Sequence, residues 1–146
     1  MIIDSKLMKY VLFKKRTEHE VREKCKTLNY NQDYIDEIID YLKEAEYIND
    51  EIYITKYINN LLKLKKSSVA EVKLDFMKRG IDFDKVDSDL VESLYEHEKE
   101  SAIYLASKKY KSGDTIEKIK RYLNGKGYAY SNISNAIDNL NILDDN

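Results

Sequence analysis

The stretch Arg16–Leu42, RTEHEVREKCKTLNYNQDYIDEIIDYL, decides the fold because it recurs twice in altered form, from Ser67 as SSVAEVKLDFMKRGIDFDKVDSDLVESL and from Asp114 as DTIEKIKRYLNGKGYAYSNISNAIDNL. Registering the copies on Asn29, Gly80 and Gly127 aligns apolar columns: Val21, Val72 and Ile119; Cys25, Phe76 and Leu123; Tyr30, Ile81 and Tyr128; Ile39, Leu90 and Ile137. One basic column also holds, at Arg22, Lys73 and Lys120. A repeat near 50 residues in a chain of 146 points to serial small units that bury their faces partly on one another.

Within each copy the spacing predicts a helix pair. Thr17 with Glu20, and Ser68 with Glu71, form the S/T-x-x-E capping box, in which a hydroxyl satisfies a first-turn amide and the carboxylate reaches back. In the third copy Lys118 stands where the glutamate would be, and Asp114 with Glu117 is the expected substitute for a box on Thr115. Asn29, Gly80 and Gly127 are the residue types that tolerate the left-handed backbone of a helix C-cap. A further helix follows each cap, at residues 33–46 with Tyr34, Ile35, Ile38, Ile39 and Leu42 inward, then 84–94 and 131–140.

Working outward, residues 4–15 place Leu7, Met8, Val11 and Leu12 on one helical face. Asn49 and Asp50 start a helix running to Lys65, with Ile54, Ile58, Leu61 and Leu62 apolar, and a division near Tyr95 separates a sixth helix from a seventh. The expected fold is therefore all-α: nine helices in three tandem three-helix units, residues 1–48, 49–95 and 96–146, forming an elongated, curved helical-repeat array. The absence of proline and the presence of only four glycines suit helices and starve hairpins of turn residues.

Apolar runs are far shorter than the roughly 20 residues a membrane span needs, and the N-terminus MIIDSKLMKY carries charges where a signal peptide is apolar. A cytoplasmic protein is expected. The single cysteine, Cys25, shares a column with Phe76 and Leu123 and reads as a buried thiol. His19 and His97 lack ligand-spaced partners and read as surface histidines; no phosphate-loop or nucleophile motif occurs. No enzyme activity, cofactor or metal is expected.

The net charge of −2 hides an alternation. Residues 14–26 hold six basic and three acidic side chains, residues 63–79 six and two, and residues 108–126 seven and two. Residues 33–51 hold one basic and eight acidic, and residues 82–100 two and eight. Such blocks either keep the protein solvated or form separate fields that steer charged partners. The candidate cationic ledges are Lys14, Lys15, Arg16, Arg22 and Lys24; Lys65, Lys66, Lys73, Lys78 and Arg79; and Lys108, Lys109, Lys120, Arg121 and Lys126. A series of ledges suits a polyanion, and the dominance of lysine favours charge contact over base readout. Tyr110, Tyr122, Tyr128 and Tyr130 stand beside the third ledge as candidates for base stacking or for the core.

The segment LFKKRTEHEVREKCKTLNYNQDYIDEIIDYLKEAEYINDEIYITKYI resembles the RecX family of RecA regulators, which carry R-x-E-x-E-V/L-R-x-K-L and later G-Y-I-N-D-E-R-Y-A. Arg16, Glu18, Glu20, Val21, Arg22, Lys24 and Tyr47 to Glu51 match it. Lys78-Arg79-Gly80-Ile81 is similar to the family's K-G-I signal, and Ala106-Ser107-Lys108-Lys109-Tyr110 to its A-x-K-K/R-Y. The chain departs from the pattern at Ile52, which replaces an arginine, at Ile54, at Ser68-Val69 in place of G-P, and at Asn29 in place of glycine. Some members carry an additional N-terminal domain, which would make this chain a short form or a fragment.

The resemblance implies a protein that binds RecA and its nucleoprotein filament and restrains RecA ATPase, strand exchange and coprotease activity. An elongated monomer is expected, since no heptad pattern or exposed apolar run demands self-association. The basic residues named above are expected to face the filament, with Arg22, Lys73 and Lys120 foremost. Two alternatives stand beside it: a helical module that binds single- or double-stranded DNA without RecA, and an adaptor whose acidic helices grip a basic protein.

Overall fold

The computed structural model describes residues 1–144. Among these the chain forms eight α-helices and one short 3-10 turn. They are α1 (Ser5–Phe13), α2 (Glu18–Thr27), α3 (Gln32–Glu44), α4 (Asp50–Leu62), α5 (Val69–Lys78), the turn Phe83–Lys85, α6 (Ser88–Lys111), α7 (Ile116–Gly125) and α8 (Tyr130–Asp144). The all-α expectation holds. The expected count of nine does not, because the division near Tyr95 is absent and α6 runs unbroken for 24 residues. Its stripe Leu94, His97, Glu98, Ser101, Ala102 and Ala106 is buried at helical spacing, so one continuous face serves where two helices were expected. The helix expected from Asp84 begins instead at Ser88, after the 3-10 turn, with Asp87 as its N-cap.

The described residues divide into two compact units, residues 1–56 with 76–83, and residues 57–75 with 84–144. In the first, Leu7 and Val11 of α1 meet Val21 and Cys25 of α2 and Ile35, Ile38, Ile39 and Leu42 of α3. Leu12, expected inward, is 63% exposed. In the second, Ala102 and Ala106 of α6 pack with Ile119 and Leu123 of α7 and Ile133, Ala136 and Ile137 of α8. Alanines on α6 let the neighbouring helices come close, and the aliphatic side chains opposite fill the space at about 2 kcal/mol each when fully buried.

The aligned columns have a structural cause. At the end of α2 the Tyr30 amide donates to the Cys25 carbonyl and the Asn29 amide to that of Lys26. The same pair of bonds closes α5, from Ile81 to Phe76 and from Gly80 to Met77, and α7, from Tyr128 to Leu123 and from Gly127 to Asn124. This is the Schellman closure, which needs a left-handed residue, and Asn29, Gly80 and Gly127 have φ of 62°, 72° and 86°. The column Cys25, Phe76, Leu123 and the column Tyr30, Ile81, Tyr128 are thus the acceptor and donor of one recurrent bond.

The capping boxes form as read on Thr17 and Ser68. On the third copy Thr115 itself caps α7, accepting from the Lys118 amide at 3.2 Å, and Asp114 faces Lys109 instead; the expected Asp114–Glu117 box is not the cap.

The box hydroxyls have a second bond. In the first unit the buried Thr17 Oγ1 donates to the carbonyl of Arg79 at 2.7 Å, and in the second the buried Ser68 Oγ donates to the carbonyl of Lys126 at 2.6 Å. Box glutamates flank both joints: Glu20 lies 3.6 Å from the Arg79 guanidinium and Glu71 3.7 Å from the Lys126 ammonium. The helix ends meet so closely that a Cβ at position 80 would lie 2.3 Å from His19 Cβ, and one at 127 would lie 2.7 Å from Ala70 Cβ.

Replacing either glycine with alanine therefore imposes a left-handed alanine and a steric overlap together. Gly80→Ala and Gly127→Ala are each expected to cost about 2 kcal/mol or more, whereas Gly125→Ala, in helix and facing open space, gains up to about 1 kcal/mol. Urea unfolding of the three variants checks the order.

Candidate cationic interface

The structure sorts the basic residues into those held by the fold and those presented by it. Arg22 is the clearest case of the first kind. One turn of α2 brings Glu18 to its Nε at 2.9 Å, and α3 brings Asp36 to its Nη1 at 2.7 Å. Lys43 also reaches Glu18, and Gln32 donates to Asp36. Burial pushes the Glu18 carboxyl up, but the hydrogen bonds from Lys43 and Arg22 outweigh it and hold the group below its ordinary range. Asp36 is held low chiefly by its bond from Arg22.

Arg16, at the first corner, donates from Nε to the Tyr10 carbonyl at 3.1 Å. Its guanidinium lies 3.8 Å from the centre of the Tyr10 ring. Lys24 sits 5.5 Å from the same ring. In the second unit Tyr122 plays the corresponding part, with Lys109 at 3.8 Å and Lys126 at 5.5 Å from its centre. Lys109 is also 3.9 Å from Asp114. Each of these rings gathers two cations through the negative face of its π system. Arg79 is committed to Glu20 and lies 5.8 Å from the Tyr53 ring.

Exposed cations make up the second kind: Lys14 and Lys15 at the first corner, Lys65 and Lys66 after α4, Lys78 on α5, Lys108 on α6, and Lys120 and Arg121 on α7. Lys65 stays within 5.9 Å of the Tyr104 ring. Lys24 and Lys78 share the rim of a hollow of about 320 Å³ in the first unit, with Tyr10, His19 and Glu23. Lys120 and Arg121 share the rim of a groove of about 380 Å³ between α7 and α8. The aligned column is thus chemically mixed: Arg22 is clasped by two carboxylates, while Lys120 is exposed at the rim of the groove.

Of the four tyrosines beside the third ledge, Tyr128 belongs to the core. It is 3% exposed, its hydroxyl shares a 2.6 Å bond with Ser101, and burial pushes its pKa up to about 12. Tyr122 is 36% and Tyr130 84% exposed. Cys25 is buried as expected, and burial raises its thiol pKa. His97 is not the surface residue expected: α6 turns it inward to 5% exposure, and burial lowers its pKa. His19 is exposed.

Two carboxylates with structural roles escaped the sequence reading. Asp50 accepts from the Glu18 amide at 2.9 Å and so caps α2 from outside. Glu98, 3% exposed, accepts from the Val69 amide at 2.9 Å, from the Ala129 amide at 3.3 Å and from the Asn132 side chain, capping α5 and α8 together. Neither carries a local sequence signal, because the helix starts they cap lie 29 or more residues away. Among the described residues no group of three or more His, Cys, Asp or Glu is placed to hold a metal ion, and no helix is long and apolar enough to cross a membrane.

Fold and surface together define an all-helical repeat protein that exposes a set of cations to solvent. The curated relatives make the class specific. The chain is 34% identical over 130 residues to regulatory protein RecX of Clostridium botulinum (strain Eklund 17B / Type B), covering 84% of this chain and 60% of that protein. It is 34% identical over 137 residues to regulatory protein RecX of Clostridium beijerinckii, covering 88% and 63%. It thus spans about 60% of the length of these relatives. The crystal structure of RecX from Lactobacillus salivarius superposes with a TM-score of 0.76 at 30% identity, covering 94% of this chain and 93% of that one. A second crystal structure of regulatory protein RecX shares the fold, with a TM-score of 0.74 at 22% identity over 92% of this chain and 70% of that one. No protein-family model matches the chain. The chain belongs to the RecX family.

The Arg22 cluster makes a pH-dependent contribution whose sign is fixed. Carboxyls held low in the fold stabilise it above their unfolded values, near 4.5 for Glu18 and 3.8 for Asp36, and the contribution is lost as pH falls through the lower folded values. Arg22→Met is expected to lower the urea midpoint at pH 7 and to flatten its decline between pH 5 and pH 3. Parallel pH profiles for variant and wild type would refute the assignment.

Proposed function

We propose that this chain is a non-catalytic regulator that binds the RecA–DNA filament in the cytoplasm and restrains RecA ATPase, strand exchange and coprotease activity. Membership of a family whose named relatives are regulatory proteins supports the class. The observation that carries the mode of binding is the presentation of exposed lysines at three successive corners of the sequence repeat, Lys14 and Lys15, Lys65 and Lys66, and Lys108. A nucleoprotein filament is a polyanion with a helical period, and a protein that meets it through several separated cationic corners gains from each neutralised charge. We take residues 1–48, 49–95 and 96–146 as the repeating units.

The three foremost residues of the aligned column now have different expected weights. Lys120 is exposed beside a groove, whereas Arg22 is needed by Glu18 and Asp36. A monomer is proposed, because the chemistry of the helix joint is missing at both ends of the series: Asn29, with a Cβ, stands where the joints have glycine, and Lys118 where they have glutamate.

Charge reversal of Lys15, Lys66, Lys108 and Lys120 to glutamate is expected to raise the concentration needed for half-inhibition of RecA ATPase by at least about tenfold, about 1.4 kcal/mol, with helical circular dichroism unchanged. Inhibition by the wild type should weaken steeply with added salt. A quadruple variant that inhibits as well as wild type would refute the cationic surface.

A further inference from the structure

The groove between α7 and α8 has more chemistry than a charged ledge needs. From α7 it takes Lys120, Arg121 and Asn124, and from α8 Tyr130, Ile133, Ser134, Ile137 and Asp138, around a volume of about 380 Å³. The α8 residues recur at helical spacing on one face. Ile133 and Ile137, 6% and 8% exposed, are the outer edge of the core and make an apolar floor. Tyr130 stands at the first residue of α8 with 84% of its surface open to solvent. Ser134 and Asn124 add groups that both donate and accept, and Asp138 adds an acceptor.

We propose that this groove takes one unstacked nucleotide of a single nucleic-acid strand, independently of RecA. A planar ring resting on the apolar floor against Tyr130, with its phosphate toward Lys120 and Arg121, uses every part of the lining. Stacking on an exposed tyrosine and cation contact to phosphate are the two components of strand binding in general. Asp138 selects among bases: a carboxylate accepts from an exocyclic amine, as cytosine offers, and opposes the carbonyl that thymine has in that place. The same carboxylate disfavours an acidic peptide, which has no use for the exposed ring either. The inference goes beyond the proposed regulation of RecA, and strand binding can be measured with RecA absent.

Fluorescence anisotropy with labelled oligo-dC and oligo-dT on the purified full chain tests it, with Lys6→Glu/Lys9→Glu, two exposed α1 lysines, as the charge-matched control. Wild type is expected to prefer dC over dT by roughly fivefold or more, from one base contact. Tyr130→Ala should weaken dC binding about tenfold, a single stacking loss. Lys120→Glu/Arg121→Glu should weaken both strands and reduce the log–log salt slope by about 1.4, for two phosphate contacts at about 0.7 each. Asp138→Asn should remove the preference for dC, and the control should bind as wild type.

The proposal is overturned if Tyr130→Ala binds strand as wild type does, or if dC and dT bind equally. It is also overturned if dCMP displaces the strand at equal nucleotide concentration, which assigns the groove to free nucleotides. Loss of filament binding with strand binding intact, in the Tyr130 variant, overturns it too and gives the groove to protein. RecA inhibition by Tyr130→Ala is scored separately, so strand binding and regulation fail or survive independently.

Discussion

A buried hydroxyl bridging two helix ends is the interaction on which the structure depends. Every helix begins with amides and ends with carbonyls that its own ladder leaves unpaired, and the N-terminal end is partially positive while the C-terminal end is partially negative. Thr17 accepts from the first turn of α2 and donates to the last carbonyls of α5, at Arg79; Ser68 does the same between α5 and α7, at Lys126. One oxygen thereby serves two orphan groups, and opposite helix poles come together. Asp50 and Glu98 complete the arrangement by capping the same two helix starts from a third segment. The close approach then dictates glycine at 80 and 127, where a side chain would strike His19 or Ala70.

Charge follows from this geometry. Glu20 and Glu71 sit at helix starts because the boxes need them, and each draws a basic residue from the facing helix end, Arg79 or Lys126. Arg22 is drawn to Glu18 and Asp36, and Arg16 and Lys109 to tyrosine faces. Three of the four arginines, Arg16, Arg22 and Arg79, are held in this way, and a planar fork suits several partners at once. Those left in solvent are mostly lysines, whose charge sits on a compact, strongly hydrated ammonium. A charge count along the sequence merges the two populations; only the contacts separate them.

The local signals were legible in the sequence. Capping boxes, left-handed C-caps and apolar columns are short-range chemistry, and Thr17, Ser68, Asn29, Gly80 and Gly127 declared them. The core of α6 was not legible, because its buried stripe includes His97, Glu98 and Ser101, which periodicity counts as surface. Glu98 tolerates burial by receiving two backbone amides and the Asn132 side chain, partners that lie 29 to 34 residues away. Tyr128 entered the core for a related reason, its hydroxyl being satisfied by Ser101. The candidate site was half legible: basic character was visible, but commitment of Arg22 to carboxylates rests on Asp36 arriving from another helix.

The same hydroxyl position occurs three times, and only two of the three serve a joint, so capping and joining can be separated in one experiment. Urea unfolding of Thr17→Val, Ser68→Ala and Thr115→Val removes one cap each. Thr115 lies exposed and its oxygen accepts from Lys118, so its loss is expected to cost about 1 kcal/mol, the value of a cap alone. Loss of Thr17 or Ser68 also strands the part-buried carbonyl of Arg79 or Lys126 and is expected to cost about 2–3 kcal/mol. Equal costs at all three positions would contradict the view that the joint, rather than the cap, holds these helices together.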